Sequence, residues 1–398
     1  MKSEWRTVAL GSVADLTVGF VGTMASNYTE TGIPFLRSTN IEPFDIKFDD
    51  IKYISSNFNE SLRKSELHPN DVVIVRTGTP GACAVIPAGV KAWNCSDLVI
   101  VRPHRNKLNP LFLASYVNLA SGVINTQLVG AVQQHYNVGA AKKMQIPLPP
   151  IGEQDKIASI IGMLNKKITI NSKINDNLEQ QAVALFKSWF VDFSLFGGTV
   201  PENWEDTTLE NITTLIMRGI APKYSDNSDQ TVINQKCIRN HTIDLSLART
   251  HTPKTINEKW LQFGDLLINS TGDGTLGRVA QVWFAPKNLT VDSHVTIVRP
   301  AREELIFYIG LWGILHEKEI ESLHTGSTGQ TELPRDRVKM LKLLLPDDAS
   351  LSRFNSIIAP IASTIISNQE ENQKLANLRN ILLPKLMSGE IDVSNIQL

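Results

Sequence analysis

The feature that most constrains this chain is a long internal repeat, with a period of about 197 residues in a sequence of 398. Trp5-Arg-Thr-Val-Ala-Leu10 has its counterpart in Trp204-Glu-Asp-Thr-Thr-Leu209. Leu67 to Asp71, followed by Val72-Val-Ile-Val-Arg-Thr-Gly78, matches Leu261 to Asp265, followed by Leu266-Leu-Ile-Asn-Ser-Thr-Gly272. Val99-Ile-Val-Arg-Pro103 matches Thr296-Ile-Val-Arg-Pro300, and Met144 matches Met340. The matches keep their order while the offset drifts by a few residues, as short loop insertions would make it do. The chain must therefore fold as two similar halves rather than as one continuous core.

Each half has the same internal plan. The β-branched runs Val72–Val75, Leu98–Val101 and Val295–Val298 read as strands bounded by Gly, Pro, Asn and Asp. A helical stretch follows in each half, near Leu111–Leu119 and Glu304–Leu315. The periodicity then becomes helical over a long segment, Gly152–Phe190 in the first half and Ser350–Leu386 in the second. Phe196-Gly-Gly-Thr-Val-Pro201 marks the junction.

The first long segment carries an apolar seam at Ile161, Leu164, Ile168, Leu178, Ala182, Leu185 and Trp189, interrupted by Asn171 and Asn175. The second has Ile358, Ile361, Ile365, Leu375, Leu382 and Leu386, interrupted by Asn368 and Asn372 and by Arg379. Steps alternating between three and four are those of a coiled coil, in which a polar seam residue costs stability and fixes register. The pattern is nearly palindromic. An antiparallel pairing predicts Asn171 opposite Asn372 and Asn175 opposite Asn368, with Leu164 against Arg379 as the weak layer; parallel helices, or these Asn in solvent, would contradict it. Residues 161 to 189 would span about 40 Å as a helix, holding the two halves apart about a pseudo-two-fold. Pro360 and Pro384 are expected to kink or break the second helix locally.

Composition narrows the function classes. The hydrophobic fraction of 42% supports real cores. The three cysteines, Cys83, Cys95 and Cys237, form neither a CxxC pair nor a Cys/His cluster, which predicts a reducing, cytoplasmic setting with no disulfide framework. No apolar run is long enough for a membrane span, and MKSEWRTVAL has no signal-peptide character.

The helical segments carry a family resemblance. Leu148-Pro-Pro-Ile-Gly-Glu-Gln154-Asp-Lys-Ile-Ala158, continuing through Leu164-Asn-Lys-Lys-Ile168, resembles the central helical region of the DNA-specificity (S) subunits of type I restriction–modification systems. Asn377-Leu-Arg-Asn-Ile-Leu-Leu-Pro-Lys-Leu-Met-Ser-Gly-Glu-Ile391 resembles their C-terminal helical region, and Trp5…Leu10-Gly11 and Trp204…Leu209 resemble the starts of their two target-recognition domains. The sequence departs from the family pattern at Asn165, where Asp is usual, and at Asp347, which stands where the first half has Pro150; the second helix lacks the Pro-Pro-x-x-Glu-Gln approach.

The resemblance implies an α+β architecture with target-recognition domain 1 at 1–150, a central helical spacer at 151–196, target-recognition domain 2 at 197–349 and a C-terminal helical spacer at 350–398. It also implies a non-catalytic role: reading a bipartite sequence in double-stranded DNA, one half-site per recognition domain, and recruiting two methyltransferase (M) subunits and the restriction/translocase (R) subunits. Two similar modules on a rigid spacer suit two half-sites at fixed separation. No cofactor, metal or membrane partner is expected.

Enzymatic readings are tested by motif. Gly272-Asp-Gly274-Thr-Leu-Gly277 has GxGxxG spacing after a strand, but a dinucleotide site needs a helix next, and Arg278–Phe284 reads as another strand. There is no GxxxxGK[ST], no Asn-Pro-Pro-aromatic motif of amino-methyltransferases, and no metal spacing among the eight His; His68, His135 and His294 read as surface or turn residues. A scaffold that binds no DNA and a self-contained methyltransferase are the competing readings; the missing motifs weigh against the latter.

Reading DNA requires Arg for guanine, Asn or Gln for adenine, and small polar side chains for phosphates. Three loops per module have this composition. In the first they contribute Arg37, Thr39 and Asn40; Arg76, Thr77 and Thr79; and Gln133, Gln134, His135 and Tyr136. In the second they contribute Asn234, Gln235 and Lys236; Asn269 and Thr271; and Ser327, Thr328 and Gln330. Arg102 and Arg299 end equivalent strands and suit a structural role as well as a phosphate contact.

The formal net charge is −1, but it is unevenly spread. Residues 1–150 hold 14 Lys+Arg against 11 Asp+Glu, and residues 200–350 hold 16 against 20. Phosphate neutralisation dominates DNA affinity, so the isolated chain is expected to bind DNA weakly and to depend on its partners for electrostatic grip.

Overall fold

A computed structural model of the chain describes residues 5–48, 50–122, 137–272, 274–326 and 331–396. The chain divides into two compact units, one made of Met1–Ile170 with Glu371–Leu398, the other of Asn171–Glu370.

The first unit is built around a four-stranded antiparallel sheet with the spatial order Cys83–Val85, Val72–Val75, Leu98–Pro103, Ala14–Val18. Every residue of Val72–Val75 is buried. Successive side chains on a strand point to opposite faces, and here both faces are covered. Val72 and Ile74 join the cluster containing Phe112, Ile157 and Leu383, whereas Val73 and Val75 join the one containing Leu36, Ile86 and Cys95. That is why the run lacks the alternation of a half-exposed strand. A second, five-stranded sheet contains a parallel pair, Ile33–Leu36 with Trp93–Cys95. Arg6–Ala9 pairs with Gln145–Leu148, tying the start of the module to its end.

The second unit has a four-stranded sheet in the same sequence of roles: Val279–Gln281, Leu266–Asn269, Val295–Pro300, Thr213–Arg218. Leu266 and Ile268 face one core and Leu267 the other. Its parallel pair is Thr231–Ile233 with Leu289–Val291, and Glu205–Thr208 pairs with Lys342–Leu345. Gly219 is required by close approach: a Cβ there would lie 1.9 Å from the Val291 carbonyl oxygen.

The two long helices span Ile151–Phe190 and Asp348–Met387, 40 residues each. Within the first unit, Lys167 pairs with Glu371 at 3.1 Å, the Asn372 amide donates to the Ile168 carbonyl at 3.4 Å, and Arg379 donates to Asn165 Oδ1 at 2.9 Å. Within the second, Asn368 Nδ2 donates to Asn175 Oδ1 at 2.8 Å, Asn175 Nδ2 donates to the Ile365 carbonyl at 3.3 Å, and Phe186, Trp189 and Phe190 pack on Phe354. In both units one helix ascends as the other descends. Asn171 is fully buried. Arg379 lies over the Phe44 ring at 5.2 Å while it bonds Asn165, so a charge in the seam keeps both an aromatic face and an acceptor.

The expected break in the second helix is not found. It continues without a break through Pro360 and Pro384. Pro360 lies on the exposed face, as does Ser356, the residue whose carbonyl loses its intrahelical donor, so that carbonyl is open to solvent rather than stranded in a core. The helix also needs no Pro-Pro-x-x-Glu-Gln approach, because Asp347 takes over that work. Its carboxylate accepts from the Ser350 amide at 3.0 Å and from the Trp204 indole at 2.8 Å. The first module makes the equivalent link from the Trp5 indole to Glu153 at 3.0 Å. Burial pushes the Asp347 carboxyl up, but the Ser350 amide and hydroxyl and the Trp204 indole outweigh it and hold it at about 2. Gln154, fully buried, pins the first helix by accepting from the Asn109 amide and donating to the Lys107 and Pro149 carbonyls.

Candidate nucleic-acid interface

In each unit the parallel strand pair ends in loops that meet the turn between two strands of the four-stranded sheet. In the first unit, Ile33–Leu36 leads into Arg37–Asn40 and Trp93–Cys95 leads into Ser96-Asp97, with the Ser96 amide donating to the Leu36 carbonyl at 3.0 Å. The turn Arg76–Thr79 meets Asp97: Arg76 Nη1 donates to Asp97 Oδ1 at 2.7 Å, and the Thr77 hydroxyl donates to Oδ2 at 3.2 Å. In the second unit, the residues after Ile233 and Val291 meet Asn269–Gly272. The Asn269 amide donates to the Gln235 carbonyl at 3.1 Å, and Thr271 Oγ1 lies 2.6 Å from His294 Nδ1.

The sequence-derived candidates divide accordingly. Thr39, Thr77, Thr79 and Lys236 are exposed; Arg76, Asn234, Gln235 and Thr271 are half-buried at the edge of the cluster. Arg37 is turned toward Asp50, which accepts at 3.0 Å through Oδ2. Hydrogen bonds from Lys52 and then Arg37 lower the Asp50 carboxyl below its ordinary range. Asn234 spends its side chain on the Lys236 amide and the Leu247 carbonyl.

Asn40 and Asn269 are 1% and 0% exposed. Asn40 accepts from the Arg37 amide and donates to the Lys47 carbonyl, folding its own turn. A side chain without surface reaches no base edge, so these two position loops. Gln133, Gln134, His135, Tyr136, Ser327, Thr328 and Gln330 lie outside the described residues.

Arg102 and Arg299 are framework. Arg299 donates to both Asp265 oxygens at 2.8 Å and to the Trp260 and Glu258 carbonyls. Arg102 donates to Asp71 at 3.4 Å and to the Glu66 carbonyl at 2.6 Å. Burial raises the Asp71 carboxyl even against Arg102. Gly272, Gly274 and Gly277 have positive φ and are followed by the strand Val279–Gln281, so among the described residues no helix N-terminus is there to receive a phosphate. Cys83 and Cys95 are buried, and burial pushes both thiols up, away from nucleophilic use. Among the described residues, no group of three or more His, Cys, Asp or Glu is placed to hold a metal, and no helix is long and apolar enough to cross a membrane.

Two members of the cluster went unnoticed in the sequence: Asp97, and His294, which reads there as an isolated surface residue. The signal was the repeat. Each stands immediately before the matched strand Leu98–Pro103 or Val295–Pro300.

Residues 2–180 match the model of the type I restriction modification DNA specificity domain. The chain is similar to type I restriction–modification specificity subunits.

Among curated proteins, the MjaIX specificity subunit of Methanocaldococcus jannaschii is 26% identical over 281 residues, covering 64% of this chain and 62% of the relative. The MjaVIII specificity subunit of the same organism is 22% identical, covering 86% and 84%. The crystal structure of a type I S subunit from M. genitalium superposes with a TM-score of 0.54 at 15% identity, covering 96% of each chain, and shows the shared fold.

Proposed function

We propose that this chain is a DNA-specificity subunit that reads a bipartite sequence, with one half-site taken by residues 1–150 and the other by residues 197–349. It supplies no catalysis of its own and recruits methyltransferase and restriction subunits through its helical regions. The observation that carries this reading is the pair of four-stranded sheets with one strand order, each ending in a polar loop cluster at the same place but with different side chains. A duplicated framework with divergent tips is what two different half-sites require. The long helices, paired as an antiparallel coiled coil, act as the spacer. Their exposed Met163, Leu378 and Ile381 offer apolar surface for partner subunits.

The test is a map of methylated adenines in DNA from cells expressing this chain with its methyltransferase and restriction partners. A split recognition sequence is expected. A contiguous site, or normal methylation in cells lacking the chain, would refute the reading.

A further inference from the structure

The strand registers make two positions of the modules directly comparable. Leu98 pairs with Val75, and Val295 pairs with Asn269. One step beyond each pair lie Asp97 opposite Arg76 and His294 opposite Ser270. The next residues outward are Thr77-Gly78 and Thr271-Gly272, with both glycines at positive φ, 91° and 106°. Both threonine hydroxyls bond the residue across the gap, Thr77 to Asp97 and Thr271 to His294. The backbone and the threonine link are thus the same, while the chemistry changes from Arg and Asp to Ser and His.

The change follows a rule. In the first module the Arg76 guanidinium is held by Asp97, and both side chains keep surface, 27% and 41%. In the second, Ser270 is fully buried and bonded to Thr296 at 2.6 Å, so it offers nothing outward. There the exposed residue is His294. Its Nδ1 is engaged by Thr271 and its backbone amide by Asp292, which fixes the ring at both ends of the residue and leaves Nε2 without a protein partner among the described residues. A side chain held by a neighbour loses less entropy when it meets a ligand, and a fixed donor is what discrimination between base edges needs.

We infer that Asp97 and His294 are specificity-determining residues of the two modules: Asp97 positions Arg76 on a guanine edge of the first half-site, and His294 itself contacts a base of the second. The inference rests on the bipartite reading above and names where in each module it is executed. The framework pairs Asp71–Arg102 and Asp265–Arg299 are kept in both modules, and this position is not.

The experiment measures equilibrium binding of the assembled complex, with its methyltransferase subunits, to duplexes in which each base pair of the mapped target is varied singly. Asp97→Asn is expected to lower discrimination at one guanine of the first half-site by about 5-fold to 150-fold and to leave the second half-site as in wild type. His294→Ala is expected to do the converse. Melting temperatures accompany each variant. Should either be lowered, Arg76→Gln and His294→Gln replace them; Arg76→Gln should turn the guanine preference toward adenine at the same position.

Variants with unaltered base preferences overturn the inference, as does a uniform loss of affinity across all duplexes, which would assign these residues to phosphate contact or scaffold. If the wild-type complex shows no bipartite preference, the functional reading itself fails, and that result is distinct from either.

Discussion

Arg299 and Arg102 occupy one position in two copies of the same framework, and the structure predicts unequal consequences when each is removed. The Asp265 side chain is 0% exposed and Arg299 12%. Arg299→Ala strands a buried carboxylate and also releases the Glu258 and Trp260 carbonyls. Removing one partner of a buried ion pair costs about 3–5 kcal/mol. Asp71 has 5% exposure, but its partner Arg102 has 33% and reaches it with a single bond at 3.4 Å. Arg102→Ala, which also releases the Glu66 carbonyl, should therefore cost about 1.5–3 kcal/mol, closer to one charge-assisted hydrogen bond. Asp265 also accepts from the Gln262 amide at 2.8 Å, as Asp71 does from the His68 amide at 2.9 Å, so this bond is common to both modules and the difference lies in the arginines. Hydrogen exchange read by mass spectrometry separates the two units, which a single global melting curve does not. The strands Leu266–Asn269 and Val295–Pro300 should lose about 3–5 kcal/mol of protection in Arg299→Ala, and Val72–Val75 and Leu98–Pro103 about 1.5–3 kcal/mol in Arg102→Ala. Equal losses, or an Arg299→Ala loss below about 1 kcal/mol, would refute the argument that burial sets the difference.

Two further outcomes follow from single residues. His241, at the turn after Ile238–Arg239, bonds Glu179 on the first long helix at 2.6 Å and lies 3.7 Å from Glu317. The Glu179 hydrogen bond, working against burial, raises its pKa above 6.5. The folded state therefore binds this proton more tightly than the unfolded one. Its stabilisation is present below 6.5 and is lost as pH rises through the raised folded value. Urea midpoints of wild type should fall between pH 6 and pH 8.5 by more than those of His241→Gln; identical pH slopes would contradict the assignment. Pro360→Ala restores a helix donor on an exposed face and should raise stability by about 1–3 kcal/mol, measured by urea titration; a loss of stability would mean that the proline ring is packed where the structure leaves it exposed.

The long helices were legible because forty residues of three–four spacing leave little choice of structure. The spacing predicted Gly152–Phe190 and Ser350–Leu386, and the helices span Ile151–Phe190 and Asp348–Met387. Neither proline breaks the helix, and for Pro360 the reason is the face it occupies. Pro360 is exposed beside an exposed carbonyl, and nothing local in the sequence says so. Asn40 and Asn269 misled for a related reason. An amide that folds a turn and an amide that reads a base leave the same letter in the same kind of loop, and only burial separates them. His294 reads as isolated in the sequence because its partner Thr271 is 23 residues away. Sheet register, not spacing, joins them.

The most direct test of the central claim, that each module reads its own half-site, replaces residues 1–150 by the corresponding domain of another specificity subunit of known target and maps methylated adenines in cells carrying the partner subunits. The account predicts a split target in which one half-site becomes that of the donor while the other is unchanged. A target altered in both halves, or one that keeps both original halves, would contradict it.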